Sequence, residues 1–250
     1  MPEVTVNGFA VPYQRQGAGE PLLALHAEDA AGQWRAFHEA LSLKLDVVLP
    51  EHPGFGEAER PEWLDGIIDL AYCHLEVLDS LGLDRVHLLG ESLGGWVAAE
   101  MAALAPERFR SLTLIGPLGL DVPGMPDVFV MNRARWQEIT RFQPPEPEVE
   151  PPSIDQLVKE SRVQATLARV GWNPYLHDPR LPRWLHRATM PALVIWGRED
   201  RLIPSSVAGG WSELLPSCRV EVVDKAGHFP ALEQPDRTAA LVLDVVTSAK

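Results

Sequence analysis

Short apolar runs alternate with longer amphipathic segments along most of the chain. Apolar runs rich in Val, Ile and Leu are typical of strands that are buried on both faces of a sheet. They occur at 21–25, 46–49, 86–89, 111–115, 193–197 and 219–223. Segments with apolar residues at helical spacing follow at 30–43, 65–81, 93–105, 204–215 and 234–248. This alternation predicts an α/β fold with a mostly parallel central sheet and helices on both faces.

The region from 116 to 190 breaks this alternation. It begins with a stretch rich in Gly and Pro and contains two predicted helices, over 128–142 and 154–171. Between them, residues 144–152 include too many prolines for a helix or a central strand, and they predict an extended acidic linker. The regular strand–helix pattern resumes only after this region.

The most informative stretch is the turn between the strand at 86–89 and the helix that follows it. It reads G-E-S-L-G at positions 90–94, a G-x-S-x-G sequence, with a further glycine next to it. A strand that passes into a helix in so few residues makes a sharp turn, and the glycines leave room for neighbouring backbone. Ser92 then lies at the positive end of the helix, near backbone N–H groups without a helical partner.

A serine hydroxyl is a weak nucleophile at neutral pH, so this turn predicts a base and an acid elsewhere in the chain. Two later strands are followed by G-R-E-D-R-L-I-P at 197–204 and G-H-F-P-A-L-E-Q-P at 227–235. Together with G-E-S-L-G-G at 90–95, these sequences resemble the acid, histidine and nucleophile loops of the α/β-hydrolase fold superfamily. The H-P-G-F-G segment at 52–56 resembles a further loop of that superfamily. The resemblance covers nearly the whole chain outside its middle section.

This resemblance implies a catalytic triad of Ser92, His228 and Asp200. His228 would take the proton of the serine hydroxyl and later deliver it to the leaving group. Asp200 would orient the histidine ring. Glu199 and Asp224 stay open as alternative acids. Glu199 precedes the matched position, and Asp224 is so near His228 along the chain that the usual geometry is hard to reach.

The resemblance also implies an oxyanion hole made by the backbone N–H of Leu93 and by one from the loop at Ala27 and Glu28. The superfamily usually has glycine where this chain has Ala27. We expect the two following acids, Glu28 and Asp29, to point to solvent and to favour the positive end of the helix at 30–43. The alternative is that one of them points into the site, where its charge would oppose an oxyanion and an anionic substrate.

By the same resemblance, residues 118–188 form a helical cap over the active site, and residues 1–117 and 189–250 form the core domain. Aromatic side chains of the cap are candidates for an apolar substrate lining, and each is equally compatible with a place in the core of the cap. The candidates are Trp136, Phe142 and Trp172, with Tyr175 and Trp184 as further members of the set.

The implied function is that of a cofactor-free serine hydrolase, with a small to medium-sized carboxylic ester as the first choice of substrate. A serine nucleophile disfavours haloalkane dehalogenases and epoxide hydrolases, relatives that use an aspartate. Hydrolysis of a carbon–carbon bond in a vinylogous diketone is the alternative. Since such substrates usually carry a carboxylate, that reaction needs an arginine in the pocket, and the presumed cap offers Arg133, Arg135, Arg162 and Arg169. A perhydrolase-like side activity and a non-catalytic ligand-binding role on the same fold also stay open.

Composition narrows the range of partners. The formal net charge of −13 disfavours nucleic acids and anionic membranes, which bind clustered Lys and Arg. The N-terminal residues do not form a signal peptide and no apolar run reaches membrane-spanning length, so we expect a cytoplasmic protein that acts on a small molecule.

Cys73 and Cys218 are expected to be buried free thiols, and no residues have the spacing of metal ligands.

Overall fold

The computed structural model describes residues 1–56, 59–145 and 153–249. Over these residues it contains one sheet with the strand order β1-β2-β4-β3-β5-β6-β7-β8. The strands are β1 Glu3–Val6, β2 Phe9–Gln16, β3 Glu20–Leu25, β4 Leu45–Pro50, β5 Val86–Glu91, β6 Phe109–Ile115, β7 Ala192–Gly197 and β8 Cys218–Val223. Strands β1 and β2 pair in antiparallel fashion, and all pairs from β4 across to β8 are parallel. The predicted mostly parallel sheet is therefore confirmed.

Helices cover both faces of the sheet. They are α1 Ala36–Ser42, α2 Ile67–Ser80, α3 Leu93–Leu104, α4 Arg133–Thr140, α5 Ile154–Gly171, α6 Ala208–Leu214, α7 Pro230–Glu233 and α8 Pro235–Ser248. Helices α1 and α8 pack on one face, where Phe37 and Val242 lie in a common core. Helices α2, α3 and α6 bury side chains such as Leu70, Val97 and Trp211 in the core of the other face. Every residue of β5 and β7 is buried, as expected for strands covered on both sides.

The helix predicted over 30–43 begins only at Ala36. Before it, the Ala30 N–H donates to the carbonyl of Ala27 in a tight turn, and Gly32 adopts a left-handed φ of +69°. A residue in that conformation cannot continue a right-handed helix. The loop that precedes the first helix is therefore longer than predicted.

The helix predicted over 128–142 is divided into two pieces. A 3₁₀ turn at Val128–Val130 is followed by α4, with Asn132 at the N-cap of α4. The Asn132 side-chain oxygen accepts a hydrogen bond from the Arg135 N–H, which satisfies one of the free N–H groups at the start of that helix.

The middle region lies between β6 and β7 and contains α4, α5 and short 3₁₀ turns. Helix α5 coincides with the helix predicted over 154–171. Buried side chains of this region, including Ile139 and Leu167, belong to the same hydrophobic cluster as Leu93 at the start of α3. Most of the predicted acidic linker at 144–152 lies outside the described residues.

Both cysteines are free in the structure, but they differ in burial. Cys73 is buried within α2, and burial raises the pKa of its thiol to about 12. Cys218 begins β8 and is only partly buried, so the prediction of full burial is wrong for this thiol. In the part of the chain that the structure describes, none of the helices combines the length and apolar character that crossing a bilayer requires.

Candidate active site

The turn between β5 and α3 places Ser92 in a strained conformation. Its φ of 52° and ψ of −113° are sparsely populated for a residue with a side chain. Close packing holds the turn: a Cβ added at Gly90 would lie 2.1 Å from the Gly94 carbonyl oxygen, and one at Gly94 would lie 2.4 Å from the Leu25 carbonyl oxygen. The sharp strand-to-helix turn predicted from the glycine spacing is present.

The serine, histidine and aspartate predicted from the three loops are joined by hydrogen bonds. Ser92 Oγ lies 2.9 Å from Nε2 of His228, and Nδ1 of His228 lies 2.8 Å from Oδ2 of Asp200. An ionised carboxylate only accepts hydrogen bonds. With Asp200 as the acceptor, Nδ1 carries the proton and Nε2 is the acceptor that faces the serine hydroxyl. This arrangement allows the histidine to take a proton from Ser92.

Backbone groups hold the acid in place. Oδ1 of Asp200 accepts hydrogen bonds from the N–H groups of Leu202 and Ile203, each at 2.9 Å. The three candidate residues reach one point because β5, β7 and β8 are parallel, and the carboxyl ends of parallel strands meet at the same edge of a sheet. The loop with the acid and the loop with the histidine also touch, since a Cβ at Gly197 would lie 1.8 Å from the Gly227 carbonyl oxygen.

The two alternative acids have other partners. Glu199 accepts a hydrogen bond from the Ala226 N–H at 3.0 Å. Asp224 forms an ion pair with Arg198 at an exposed position. Of the three acids considered from the sequence, Asp200 is the one hydrogen-bonded to the histidine ring.

Opposing effects act on the pKa of His228, whose side chain is completely buried. Burial lowers the pKa of the imidazole, but the charge and hydrogen bond of Asp200 raise it, and the charges of Glu28 and Glu91 raise it further. The net result is a pKa above the usual value for histidine. The acids around the ring therefore stabilise the imidazolium that proton transfer from Ser92 would create.

The expectation that Glu28 points to solvent is wrong. Its side chain is buried, with one carboxyl oxygen 3.4 Å from Ser92 Oγ and the other 3.4 Å from the Leu93 N–H nitrogen. Because α1 begins only at Ala36, no helix N-terminus is available near residue 30 to attract the acid. Glu28 instead lies at the positive end of α3. Asp29 is exposed as expected, and it accepts a hydrogen bond from the indole N–H of Trp136 at 3.2 Å.

Burial raises the pKa of Glu28, and the neighbouring charge of Asp29 raises it further, whereas His228 acts in the opposite direction. The contacts of the carboxylate with Leu93 and Ser92 are long for hydrogen bonds. They therefore stabilise the buried negative charge only weakly in place of the water that it has lost. The neutral form of Glu28 is therefore favoured relative to an exposed glutamate.

The unusual Ala27 fits its surroundings. It is completely buried, and it belongs to a small apolar cluster with Ala30 and Phe229, against which Trp136 packs. Phe229 follows His228 in the histidine loop, so the alanine methyl helps to fill the space between that loop and the loop with Glu28.

The predicted substrate-lining aromatics occupy different places. Trp136 packs against Phe229 with 6.2 Å between the ring centroids, next to the histidine. The Phe142 N–H donates to Glu233, which also accepts from the N–H of Gly227, so this segment is bound to the histidine loop. Trp172 is 57% exposed and contacts Phe129 instead.

Sequence reasoning missed one cation near the site. The guanidinium of Arg141 lies 4.9 Å from the centre of the Phe229 ring, and burial lowers the pKa of this arginine. The preceding residue, Thr140, accepts a hydrogen bond from the His228 N–H at 2.7 Å. No motif marks this segment, and its position depends on how the middle region folds back onto the core.

A chain of neutral histidines lies beneath the loop with Ala27. His26 Nε2 accepts from the His52 N–H at 2.8 Å, and Nδ1 of His52 lies 2.6 Å from Nε2 of His74. Burial lowers the pKa of His26 to about 4 and that of His74 to about 3. His26 is therefore a buried, neutral structural residue.

No group of three or more His, Cys, Asp or Glu residues arranged to hold a metal ion occurs within residues 1–56, 59–145 and 153–249.

The strand order, the strained serine turn and the helices on both faces define an α/β hydrolase. The family model described as "Alpha/beta hydrolase family" matches residues 17–241, so the chain belongs to this family and is a hydrolase. The 2-hydroxymuconate semialdehyde hydrolase of Pseudomonas sp. (strain CF600) is 28% identical over 99% of this chain and 94% of its own length.

Solved structures show the same fold. The crystal structure of a membrane phospholipase A, a bacterial virulence factor, matches with a TM-score of 0.82 and 24% identity, over 99% of this chain and 85% of that one. A meta-cleavage product hydrolase from Pseudomonas fluorescens IP01 matches with a TM-score of 0.78 and 22% identity, over 100% of this chain and 98% of that one.

Proposed function

We propose that the protein is a carboxylic-ester hydrolase in which Ser92 is the nucleophile, His228 the general base and Asp200 the orienting acid. The observation that carries this proposal is the continuous hydrogen-bonded series from Ser92 Oγ through the imidazole to Asp200, with separations of 2.9 and 2.8 Å. Its substrate is a small molecule with a short to medium acyl group.

The first half of the reaction forms an acyl-enzyme. His228 Nε2 takes the hydroxyl proton as Ser92 Oγ attacks the ester carbonyl, whose oxygen becomes an oxyanion. The N–H of Leu93 and an N–H of the loop at Ala27 and Glu28 would hold that oxyanion. The imidazolium then gives its proton to the alkoxide that leaves, and an alcohol is released.

The second half removes the acyl group. His228 takes a proton from a water molecule, whose oxygen attacks the carbonyl carbon of the acyl-serine. The same N–H groups would stabilise the second oxyanion. When it collapses, the proton returns to Ser92 Oγ and the carboxylic acid leaves.

The proposal includes a cap formed by residues 118–188 over a core of residues 1–117 and 189–250. It is supported by the position of this segment between β6 and β7 and by the contact of its Thr140 carbonyl with the histidine loop. We propose that Trp136 contacts the substrate, because it packs beside the histidine loop, and that Phe142 and Trp172 contribute when the cap rearranges around a ligand.

Hydrolysis of a carbon–carbon bond is the second candidate, and similarity to a 2-hydroxymuconate semialdehyde hydrolase favours it. The arginines expected to bind a substrate carboxylate have partners elsewhere. Arg133 is 3.6 Å from Glu160, Arg135 is 2.6 Å from Glu138, and Arg169 pairs with Asp65. Arg162 donates to the Gly56 carbonyl at 3.4 Å. The carboxylate of Glu28 beside the serine further disfavours an anionic substrate.

The test is the release of p-nitrophenol from acetyl, butyryl and octanoyl esters by the wild type and by Ser92→Ala. Ser212→Ala is the matched control, because its hydroxyl donates to the Gly209 carbonyl on the exposed side of α6. We expect the first variant to lose at least about a thousandfold in kcat and the control to retain full activity. Equal activity in wild type and Ser92→Ala would refute the proposed nucleophile.

Two further outcomes separate the rival functions. Consumption of a meta-cleavage dienoate by a wild type that is inactive on all three esters would favour the carbon–carbon hydrolase. No turnover of either class by the folded protein would favour a ligand-binding role.

A further inference from the structure

Glu28 is the one acid in contact with the candidate nucleophile itself, among the residues that the structure describes. Its two carboxyl oxygens lie 3.4 Å from Ser92 Oγ and 3.4 Å from the Leu93 nitrogen. The carboxyl group therefore contacts the Leu93 N–H, which the proposed reaction assigns to the oxyanion.

The site is closed in this arrangement. Ser92 and His228 have no exposed surface, and Glu28 is 4% exposed. A substrate carbonyl therefore has no room beside the serine until a neighbouring group moves. Glu28 can move at low cost, because both of its contacts across the site are at the long end of the hydrogen-bond range.

Charged groups face Glu28 from several elements. Asp29 is adjacent in the same loop, and His228 faces it from the loop after β8. Glu91 at the end of β5 also lies near the histidine and pairs with Arg35, so its charge is compensated. No Lys or Arg among the described residues is seen to pair with Glu28.

We propose that the ionised Glu28 carboxylate is an intramolecular occupant of the oxyanion hole, which a substrate carbonyl must displace, and that it selects substrates that are neutral beside the scissile bond. This inference rests on the proposed function. An ionised carboxylate resembles the oxyanion of the reaction in charge and, at Leu93, in the donor that it uses, so it competes with the substrate for that N–H group. In its neutral form, Glu28 is a weaker competitor.

The pH profile of activity has a rising limb and a falling limb. Burial and Asp29 raise the pKa of Glu28, so the neutral form persists to a higher pH than in an exposed glutamate. Activity rises with pH as His228 loses its proton, and it falls again as Glu28 becomes ionised and fills the oxyanion hole. His228 and Glu28 influence each other's pKa. The rising and falling limbs of the pH profile therefore reflect the titration of the pair and not of one residue alone.

The test is the pH profile of kcat/KM for p-nitrophenyl butyrate in the wild type, Glu28→Gln and Glu28→Ala. Gln is a neutral group of the same shape, and Ala empties the site. On the alkaline side, we expect the kcat/KM of both variants to exceed that of the wild type by about tenfold or more. We also expect both variants to lose the fall in kcat/KM at alkaline pH. Values equal to or below the wild type at every pH would overturn the inference.

Glu100→Gln is the matched control. Glu100 is also a buried glutamate of α3, and burial raises its pKa to about 7, but it lies eight positions beyond Ser92. Eight residues span about 12 Å along a helix, so its titration should not reach the oxyanion hole. We expect Glu100→Gln to keep the fall in kcat/KM at alkaline pH. If this variant lost the fall, the fall would be caused by Glu100, and the inference would be overturned.

A second readout tests charge selection at a single pH. Succinyl and butyryl p-nitrophenyl esters have acyl chains of equal length, and the first ends in a carboxylate. We expect the ratio of their kcat/KM values to rise about tenfold in Glu28→Gln, because one negative charge is removed from the site. An unchanged ratio would contradict the proposed selection.

Labelling of Ser92 by a fluorophosphonate separates failure of this inference from failure of the proposed function. A labelled wild type whose Glu28 variants show no gain overturns the inference alone. No labelling and no Ser92-dependent hydrolysis in any variant would overturn both. If neither Glu28 variant folds, a wild-type labelling rate that falls at alkaline pH supports the inference, and a constant rate overturns it.

Discussion

The indole N–H of Trp196 donates a hydrogen bond, at 3.1 Å, to Asp200 Oδ2, the oxygen that also contacts the imidazole of His228. The same N–H lies 2.9 Å from the Ile203 carbonyl oxygen. Strand β7 thus supplies both the acid loop and a side chain that fixes the orientation of the carboxylate. Trp196 does not touch the reacting atoms and is a positioning residue.

Trp196→Phe tests this arrangement. It keeps an aromatic ring and removes the donor, so we expect a several-fold loss in kcat with little change in KM, and a loss of about 1–2 kcal/mol in stability. Steady-state kinetics and urea unfolding measure the two effects. Lost stability with unchanged kcat would mean that Trp196 has a purely structural role.

Asp200→Asn tests the acid directly. The amide cannot hold the Nδ1–H tautomer of His228, and we expect kcat to fall by about ten thousandfold. Glu199→Gln is the adjacent control, because Glu199 binds the Ala226 N–H and not the imidazole. A similar loss in both variants would argue against the assignment of Asp200.

A buried ion pair supports the turn next to Ser92. Arg35 pairs with Glu91, and their side chains are 12% and 3% exposed. Arg35→Met leaves the carboxylate buried without its partner, and we expect it to lower the free energy of unfolding by about 3–5 kcal/mol. Arg15→Met removes an exposed pair with Asp46 and should cost at most about 1 kcal/mol. Equal losses in urea unfolding would contradict this ranking.

The buried histidines predict acid sensitivity. The pKa of folded His26 is about 4 and that of His74 is about 3, both below the usual value of 6.5. The unfolded chain therefore binds more protons as pH falls below about 6.5, and stability declines from there towards the folded pKa values, by roughly 3 kcal/mol for His26 alone.

His74→Gln checks this origin of the acid sensitivity. Gln keeps a donor near His52 and does not titrate, so we expect a smaller loss of unfolding free energy between neutral and acidic pH than in the wild type. His186→Gln, at an exposed position, should leave the loss unchanged. An undiminished loss in His74→Gln would exclude His74 as a contributor.

The strands, the serine turn and the two loops with Asp200 and His228 were predictable because each is encoded in a short, continuous stretch. Gly90 and Gly94 are required by backbone contacts within the turn and with the adjacent strand β3. Parallel strands then bring the loop ends together without further information.

Features that depend on distant parts of the chain were not predictable in this way. The position of Glu28 follows from the late start of α1 and from the free N–H at the start of α3, 65 residues away. Asn132 is the N-cap of α4 and divides the segment that was predicted as one helix over 128–142. Residue type alone makes Trp172 a candidate for the substrate lining, whereas its exposure depends on the packing of the middle region.

As the proposed nucleophile, Ser92 is acylated during turnover. The most direct measurement is the intact mass and peptide map of the wild type mixed with p-nitrophenyl butyrate and quenched with acid before the steady state. We expect one butyryl group on the peptide that contains Ser92, and none on that peptide in Ser92→Ala. Release of p-nitrophenol with a butyryl group on another residue, or on none, would contradict the account.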